Sequence, residues 1–436
     1  MPADHTDTRR ILAVSYYYAP IENPGTRRVG SFVRYLPQYG YHPVVLTTSS
    51  YGTTADDDSA LILRAPDLLD VARSLVRRVV RVRADSASGW QGPLVAPDSR
   101  ISAVLEQVMI PDIQLGWLPG AVMRGRVLLR TGFFRAIFSS SPPVTAHLVG
   151  YALKRASGLP WVADFRDGWL FEPPNKVVLS SIIRQRIEGV LERAVAEGAD
   201  RIVTVNDVLA DDMRRRYPAT AKKVVVISNG YDPAEYNFAP STMSSVRFRV
   251  VHTGSLAYSR KRTLITGLLA ALQRLRQQHA PVMERLDVRL IGKLSLAERA
   301  AIADAGLDES ITIVGSVAHS DVLRIQSEAE VLLLVTAADD ASVTTSKLFE
   351  YLASGRPILA LTGRSAAGAL IEELNAGEVV HPDDVDGICR ALEGLYRRWL
   401  AGELHTRVDA RVHRFDRRIL TGELAKVFRE LDPWSR

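Results

Sequence analysis

The sequence predicts an α/β protein built from two doubly wound, parallel-sheet domains. Short apolar runs alternate with amphipathic segments of helical period along nearly the whole chain, the alternation breaks once in a turn-rich stretch, and it then restarts in the same form. The length of 436 residues agrees, because single cores rarely grow beyond about 250 to 300 residues.

The first apolar run, 11–15, leads into YYYAPIENPGTRR and a segment with Val29, Phe32, Val33 and Leu36 at helical spacing. Residues 43–47 supply the next strand and complete a β-α-β unit. Asn23, Pro24, Gly25 and Thr26 then lie outside the carboxyl end of a strand, where open α/β sheets place ligands. Read locally they are a turn; read by position they are a substrate-contacting loop. Residues 51–67, with Asp56, Asp57 and Asp58, are expected to form an exposed excursion. From Leu68 to Arg83 apolar residues alternate in helical rhythm with Arg73, Arg77, Arg78, Arg81 and Arg83. Such a basic amphipathic helix either lies on an anionic bilayer or packs its apolar face on its own domain.

A helix is expected at 119–130, a strand at 136–139, a loop at 140–143 and a helix at 144–157, ended by Gly158 and Pro160. The strand 161–163 runs into Asp164, Phe165, Arg166 and Asp167. A helix at 177–198, a strand at 201–205, a helix at 207–217 and a strand at 224–227 follow, so that the first domain spans 1–232. The break is YDPAEYNFAPSTMSSV, rich in turn residues and poor in periodicity. In the second domain, 246–412, strands are expected at 248–252, 287–291, 311–314, 331–335, 357–361 and 378–380. Residues 413–436 form a further helical segment whose packing the sequence leaves undetermined.

Composition excludes several function classes. The single cysteine, Cys389, forbids an internal disulfide framework and reads as buried filler. The nine histidines show no paired spacing, and Asp384 and Asp386 read as helix-capping acids, so no metal site and no cofactor are expected. There is no Walker A sequence and no G-x-S-x-G elbow. The net charge of +6 is spread along the chain and suits an anionic ligand or membrane surface; no nucleic-acid recognition motif accompanies it. No apolar run approaches the roughly 18 residues of a membrane span, and the first residues lack an apolar signal core. A cytoplasmic protein is the expectation, with peripheral contact at the inner face of the membrane if the Leu68 to Arg83 helix touches lipid.

The most informative stretch is SVTTSKLFEYLASGRPILAL, from Ser342 to Leu361. Leu348, Phe349 and Leu352 give one apolar side at helical spacing, and Gly355 with Pro357 stops the helix, which therefore starts near Ser346. Its first-turn amides and dipole favour an anion beside Thr344, Thr345 and Ser346. Lys347 in that turn opposes the dipole unless an anion is bound, and Glu350 lies one residue too far for a capping box with Ser346. Both either serve a ligand or point into water. Gly254 and Ser255 follow the first strand of the second domain, where a glycine lets backbone amides approach a phosphate. Arg260, Lys261 and Arg262 then open the next helix, three cations at a positive helix end. Two loops with the same electrostatic anomaly point to a diphosphate.

Taken in order, the YYYAPIENPGTRR opening, GLPWVADFRDGW, VVVISNGYDP, the HTGSL loop and KLFEYLASGRPIL resemble the retaining GT-B glycosyltransferases of family 4, also called group 1. The resemblance implies two Rossmann-like domains facing across a cleft and transfer of a sugar from a nucleotide-sugar donor to a glycan, lipid-linked or small-molecule acceptor. It implies a metal-independent reaction with retention of anomeric configuration. Glu350 would bond the ribose, Lys261 would neutralise the diphosphate leaving group with help from the neighbouring arginines, Arg260 or Arg262, and Thr344 to Ser346 would hold that diphosphate. Gly25 and Thr26 would line the phosphate side from the first domain. Three positions depart from the family pattern. Ser342 stands where a first acid is common, Ser255 where an arginine follows the glycine, and Arg166 where many members carry a histidine. Asp164, Arg166 and Asp167 become the acceptor-side candidates, against a structural Asp-Arg ion pair at a strand end. The rival functions are a GT-B nucleotide-sugar 2-epimerase and a non-catalytic nucleotide-sugar-binding subunit.

Overall fold

The computed structural model describes residues 9–21, 23–52, 61–70, 108–172, 181–236, 246–256, 265–278, 280–404 and 408–432. The chain divides into two units, residues 1–228 with 417–436, and residues 229–416.

The first unit begins with β1 (Arg9–Val14), α1 (Pro24–Tyr35), β2 (Tyr41–Thr48) and β3 (Leu61–Ala65). It continues with α2 (Leu118–Thr131), β4 (Phe134–Ser141), α3 (Thr145–Ser157), β5 (Trp161–Phe165), α4 (Ile182–Gly198), β6 (Arg201–Thr204), α5 (Asp207–Arg216) and β7 (Val224–Val226). The strands pair in parallel in the order β3-β2-β1-β4-β5-β6-β7. Alternate strand residues point to opposite faces. Leu12 and Val14 accordingly join the cluster packed under α2, α3 and α4, while Ile11 and Ala13 join the one under α1.

Three expectations change here. The stretch 51–67 is not simply an exposed excursion: β3 pairs with β2 at the sheet edge, and Ala65 and Asp67 are buried. Its run of apolar residues is short and flanked by polar sequence, which hid it. Asn23 to Thr26 is neither turn nor loop, since Asn23 caps α1 by accepting from the Thr26 amide at 2.8 Å and Pro24 occupies the first helical turn. Ser140 and Ser141 complete β4 rather than opening a loop. Residues 71–83 of the basic amphipathic segment and 177–180 of the long helix lie outside the described residues.

The second unit comprises β8 (Phe248–Thr253), α6 (Thr266–Gln278), α7 (Ala280–Arg285), β9 (Leu286–Ile291), α8 (Leu296–Asp304), β10 (Ile311–Gly315), α9 (His319–Glu328) and β11 (Val331–Val335). It ends with α10 (Ser346–Ser354), β12 (Ile358–Leu361), α11 (Ala366–Glu373), β13 (Gly377–Val380) and α12 (Val385–Leu400). The sheet is again fully parallel, ordered β10-β9-β8-β11-β12-β13. Asp384 caps α12 through the Gly387 amide at 2.8 Å, and Cys389 is buried.

The last helix, α13 (Arg417–Leu431), returns to the first unit and covers α1 and the β1 face. Arg417 donates to Ser31 Oγ at 3.0 Å, and Phe428 packs its ring 5.5 Å from that of Tyr41. Among the described residues no helix is long and apolar enough to cross a membrane.

Candidate active site

In an open parallel sheet the strand order reverses where neighbouring connections leave to opposite sides, and the crevice at the carboxyl ends there is the usual ligand position. In the second unit that point falls between β8 and β11. His252 sits on it, fully buried, with Nδ1 at 2.9 Å from the Leu333 carbonyl. A carbonyl can only accept, so Nδ1 carries the proton and Nε2 is left as an acceptor. Lys347 Nζ donates to that nitrogen at 3.3 Å and lies 3.5 Å from the Ser255 carbonyl.

The loop after β8 is shaped to receive this lysine. Gly254 has φ +89°, and a Cβ there would stand 3.3 Å from Lys347 Cε. Glycine satisfies both the left-handed backbone and the close approach. Burial lowers the Lys347 ammonium from its ordinary 10.5 to about 8, against the opposing pull of Glu350. Burial and the neighbouring Lys347 hold the His252 imidazole neutral, well below its ordinary range.

Helix α10 starts at Ser346 with Thr345 as its cap residue, and Thr345 makes no side-chain capping bond. Its Oγ1 is buried without a hydrogen-bond partner. Gly355 ends the helix in the left-handed conformation at φ 69°. Glu350 is buried, and its Oε2 accepts from Gln326 Nε2 at 3.3 Å. Gln326 also donates to Thr253 Oγ1 at 2.9 Å, and Tyr351 Oη accepts from the Thr253 amide at 2.9 Å. Lys347 and Glu350 therefore do not simply point into water. They belong to a buried polar set formed by β8, α9 and α10, with Thr344, Ser346 and the Gly254-Ser255 loop around it. No sequence pattern marks Gln326 or Tyr351 as site residues, and His252 carries only one signal, its place two residues before Gly254 in HTGSL. Arg260, Lys261 and Arg262 lie outside the described residues.

The first unit presents a second cluster at the carboxyl end of β5. Asp164 is fully buried and paired with Arg28, whose Nη2 donates to Oδ1 at 2.8 Å and whose Nε donates to Oδ2 at 3.1 Å. Ser140 Oγ adds a bond to Oδ2 at 2.7 Å, and Arg28 also reaches the carbonyls of Ile227 and Ser228. A buried pair with every group bonded is a structural clamp. Asp164 thus has its ion-pair partner in Arg28, from α1. Arg166 instead donates from Nε to the Ser141 carbonyl at 2.8 Å and from Nη2 to that of Pro142 at 2.6 Å. Its guanidinium lies so close to the start of α1 that a Cβ on Gly25 would collide with Nη1. Asp167 is exposed beside it. His147 is buried against Phe165, and burial lowers its imidazole to about 3. Among the described residues no group of His, Cys, Asp and Glu is arranged to hold a metal ion.

Comparison with known proteins accounts for this pair of units. The glycosyl transferase 4-like domain family matches residues 25–230, and the glycosyl transferases group 1 family matches residues 247–398. No curated protein matches the chain in sequence. Sucrose-phosphate synthase from Thermosynechococcus elongatus shares the fold with TM-score 0.66 at 16% identity, over 97% of this chain and 99% of that one. An Anabaena protein, HepE, in complex with UDP-glucose aligns with TM-score 0.64 at 13% identity, over 97% and 99% of the two chains. An Escherichia coli trehalose-6-phosphate protein bound with UDP-2-fluoro glucose aligns with TM-score 0.61 at 11% identity, over 97% and 99%. These likenesses define the class of the molecule, the two-domain GT-B fold. Within it the chain belongs to the group 1 glycosyltransferases and is an enzyme of sugar transfer.

Proposed function

We propose that this glycosyltransferase takes its sugar from a nucleotide-sugar donor and transfers it, without a metal and with retention of anomeric configuration, to a glycan, lipid-linked or small-molecule acceptor. The observation that carries the reading is the half-buried Lys347, which reaches from the first turn of α10 over Gly254 to the His252 ring. A cation at the positive end of a helix is opposed by the dipole, and a diphosphate between α10 and the Gly254-Ser255 loop reverses that sign. The amides following Thr344 and Thr345, the hydroxyl of Ser346 and the ammonium of Lys347 would hold the phosphate oxygens, and Glu350 the ribose. As the bond from sugar to phosphate breaks, charge grows on the leaving group, and Lys347 with Lys261 and Arg260 would stabilise it in the place of a metal. Arg166, close to Gly25 and the start of α1, and Asp167, which follows it, are the acceptor-side residues in this reading, with Gly25 and Thr26 lining the phosphate side and Asp164 fixing the strand end that carries them.

The test is thermal stabilisation by UDP, GDP, dTDP and ADP and their sugars, since a ligand of the native state raises its apparent stability by mass action. UDP sugars come first, because two of the structural neighbours are described with them. One nucleotide is expected to stabilise the wild type and to fail with Lys347→Met. Turnover with the identified donor should survive EDTA and give a product of unchanged anomeric configuration by proton NMR. Stabilisation by no nucleotide, in a folded sample, would overturn the donor assignment. An epimerised sugar formed from donor alone would replace transfer by isomerisation.

A further inference from the structure

Helix α4 is packed inside out over its first three turns, before Val195 and Ala196 enter the core. Its inward face presents Arg184, Glu188 and Glu192, all buried, while Ile182, Ile183, Ile187 and Val190 face outward. Ile183 and Val190 are 71% and 67% exposed. The inward charges are fully used. Arg184 Nη2 donates to the Pro111 carbonyl at 2.8 Å, and Arg184 also pairs with Glu188, which accepts from Trp169 Nε1 at 2.9 Å. Glu192 accepts from Tyr217 Oη at 2.7 Å and pairs with Arg216. An apolar stripe left outside while charges are buried has no folding rationale of its own.

The same helical layer carries a second such surface. On α2, Met123 is 62% and Val127 57% exposed, and Phe133 beyond its end is 91% exposed. Between α2 and α3 runs a groove of about 760 Å³ lined by Leu118, Val122, Met123, Leu148 and Tyr151, with Arg126 and Arg130 at its edge. Helix α3 packs against both α2 and α4.

Charge selects the occupant. From Ile113 through Ala163 the sequence contains no aspartate or glutamate, while Arg124, Arg126, Arg130, Arg135, Lys154 and Arg155 fall in it. On α4, Glu188 and Glu192 point inward, so its outward charges are Arg186 and Arg193, with Glu197 in the last turn. Lys154 is paired with Asp200, and the arginines that remain outnumber the one exposed acid of α4. An apolar surface with such an excess of cations at its rim is complementary to a bilayer with anionic headgroups, into which apolar side chains insert while arginines meet phosphates.

We propose that the outer surface of α2, α3 and α4 docks on an anionic membrane, independently of the Leu68 to Arg83 segment and of the donor assignment. The test is co-sedimentation of the full chain with phosphatidylcholine vesicles containing about 30 mol% phosphatidylglycerol, and with phosphatidylcholine alone, near physiological salt. Each cation near an anionic leaflet contributes about fivefold in affinity. Arg126→Ala with Arg130→Ala should therefore weaken binding about 25-fold. Ile183→Asp with Val190→Asp should weaken it at least about tenfold, with unfolding temperatures unchanged because all four side chains lie at the surface. Binding to phosphatidylcholine alone should be weak. Failure of the wild type to bind, equal binding by both variants, or loss confined to Arg77→Ala, Arg78→Ala and Arg81→Ala would each overturn the proposal. So would light scattering showing that Ile183→Asp with Val190→Asp splits an oligomer while vesicle binding stays intact.

Discussion

Replacing Lys347 by methionine isolates one ionisation from the rest of the molecule. In the native state burial holds that ammonium at about 8, whereas the unfolded chain returns it to the ordinary 10.5. Below pH 8 both states keep the proton, and the native state carries the full cost of enclosing the charge. Between pH 8 and 10.5 the native state has released the proton while the unfolded state still binds it, so stability rises with pH through that window. A gap of that size corresponds to about 3 kcal/mol over the whole window. Lys347→Met has no such gap, and the titrations of the other lysines and tyrosines cancel between the two proteins. Urea unfolding at pH 7, 8, 9 and 10 should therefore show wild-type stability climbing relative to the variant, by at most about 1.4 kcal/mol per pH unit. A nucleoside diphosphate should suppress the climb by holding the proton on, and its own affinity should fall above pH 8. A stability difference that stays flat, or falls, as pH rises would refute the enclosed-lysine reasoning.

Further outcomes follow from the same contacts. Asp164→Asn leaves the buried Arg28 guanidinium without its counter-charge and should lower stability by about 3 to 5 kcal/mol in urea titrations. Gly254→Ala places a side chain at φ +89° against Lys347; the backbone alone costs about 1 to 2 kcal/mol, and calorimetric titration should show weaker nucleotide binding. Glu350→Gln should cost about 10- to 100-fold in nucleotide affinity, the worth of a charged hydrogen bond, while the unfolding temperature moves little.

What the sequence made legible is what local physics controls. Apolar runs buried on both faces announced β1, β4, β8, β11 and β12, and Gly355 with Pro357 announced the end of α10. The start of α1 was written in Asn23 and Pro24, but the same residues also spell a turn, and only the bond from Asn23 to Thr26 decides between them. The lysine and glutamate of α10 stood out because they break local rules. Their partners did not, because His252 is 95 residues from Lys347, and Arg28 is 136 residues from Asp164. No periodicity carries information over such distances. The inverted packing of α4 was hidden for the same reason, since it depends on Trp169, Pro111 and Tyr217 supplying polar partners to a face that amphipathic reasoning assigns to water.

The return of α13 sets an order on biosynthesis. Ser31 meets Arg417 386 positions later in the chain, so a nascent first unit leaves the ribosome with Val29, Phe32 and Tyr41 still lacking the helix that covers them. Residues 229–416 are all translated before that helix exists, and at about 5 to 20 residues per second the delay lasts on the order of tens of seconds. The usual sequence, first unit first, is therefore inverted: the internal unit can finish folding while the outer one waits with an open apolar face, a natural point of engagement for chaperones.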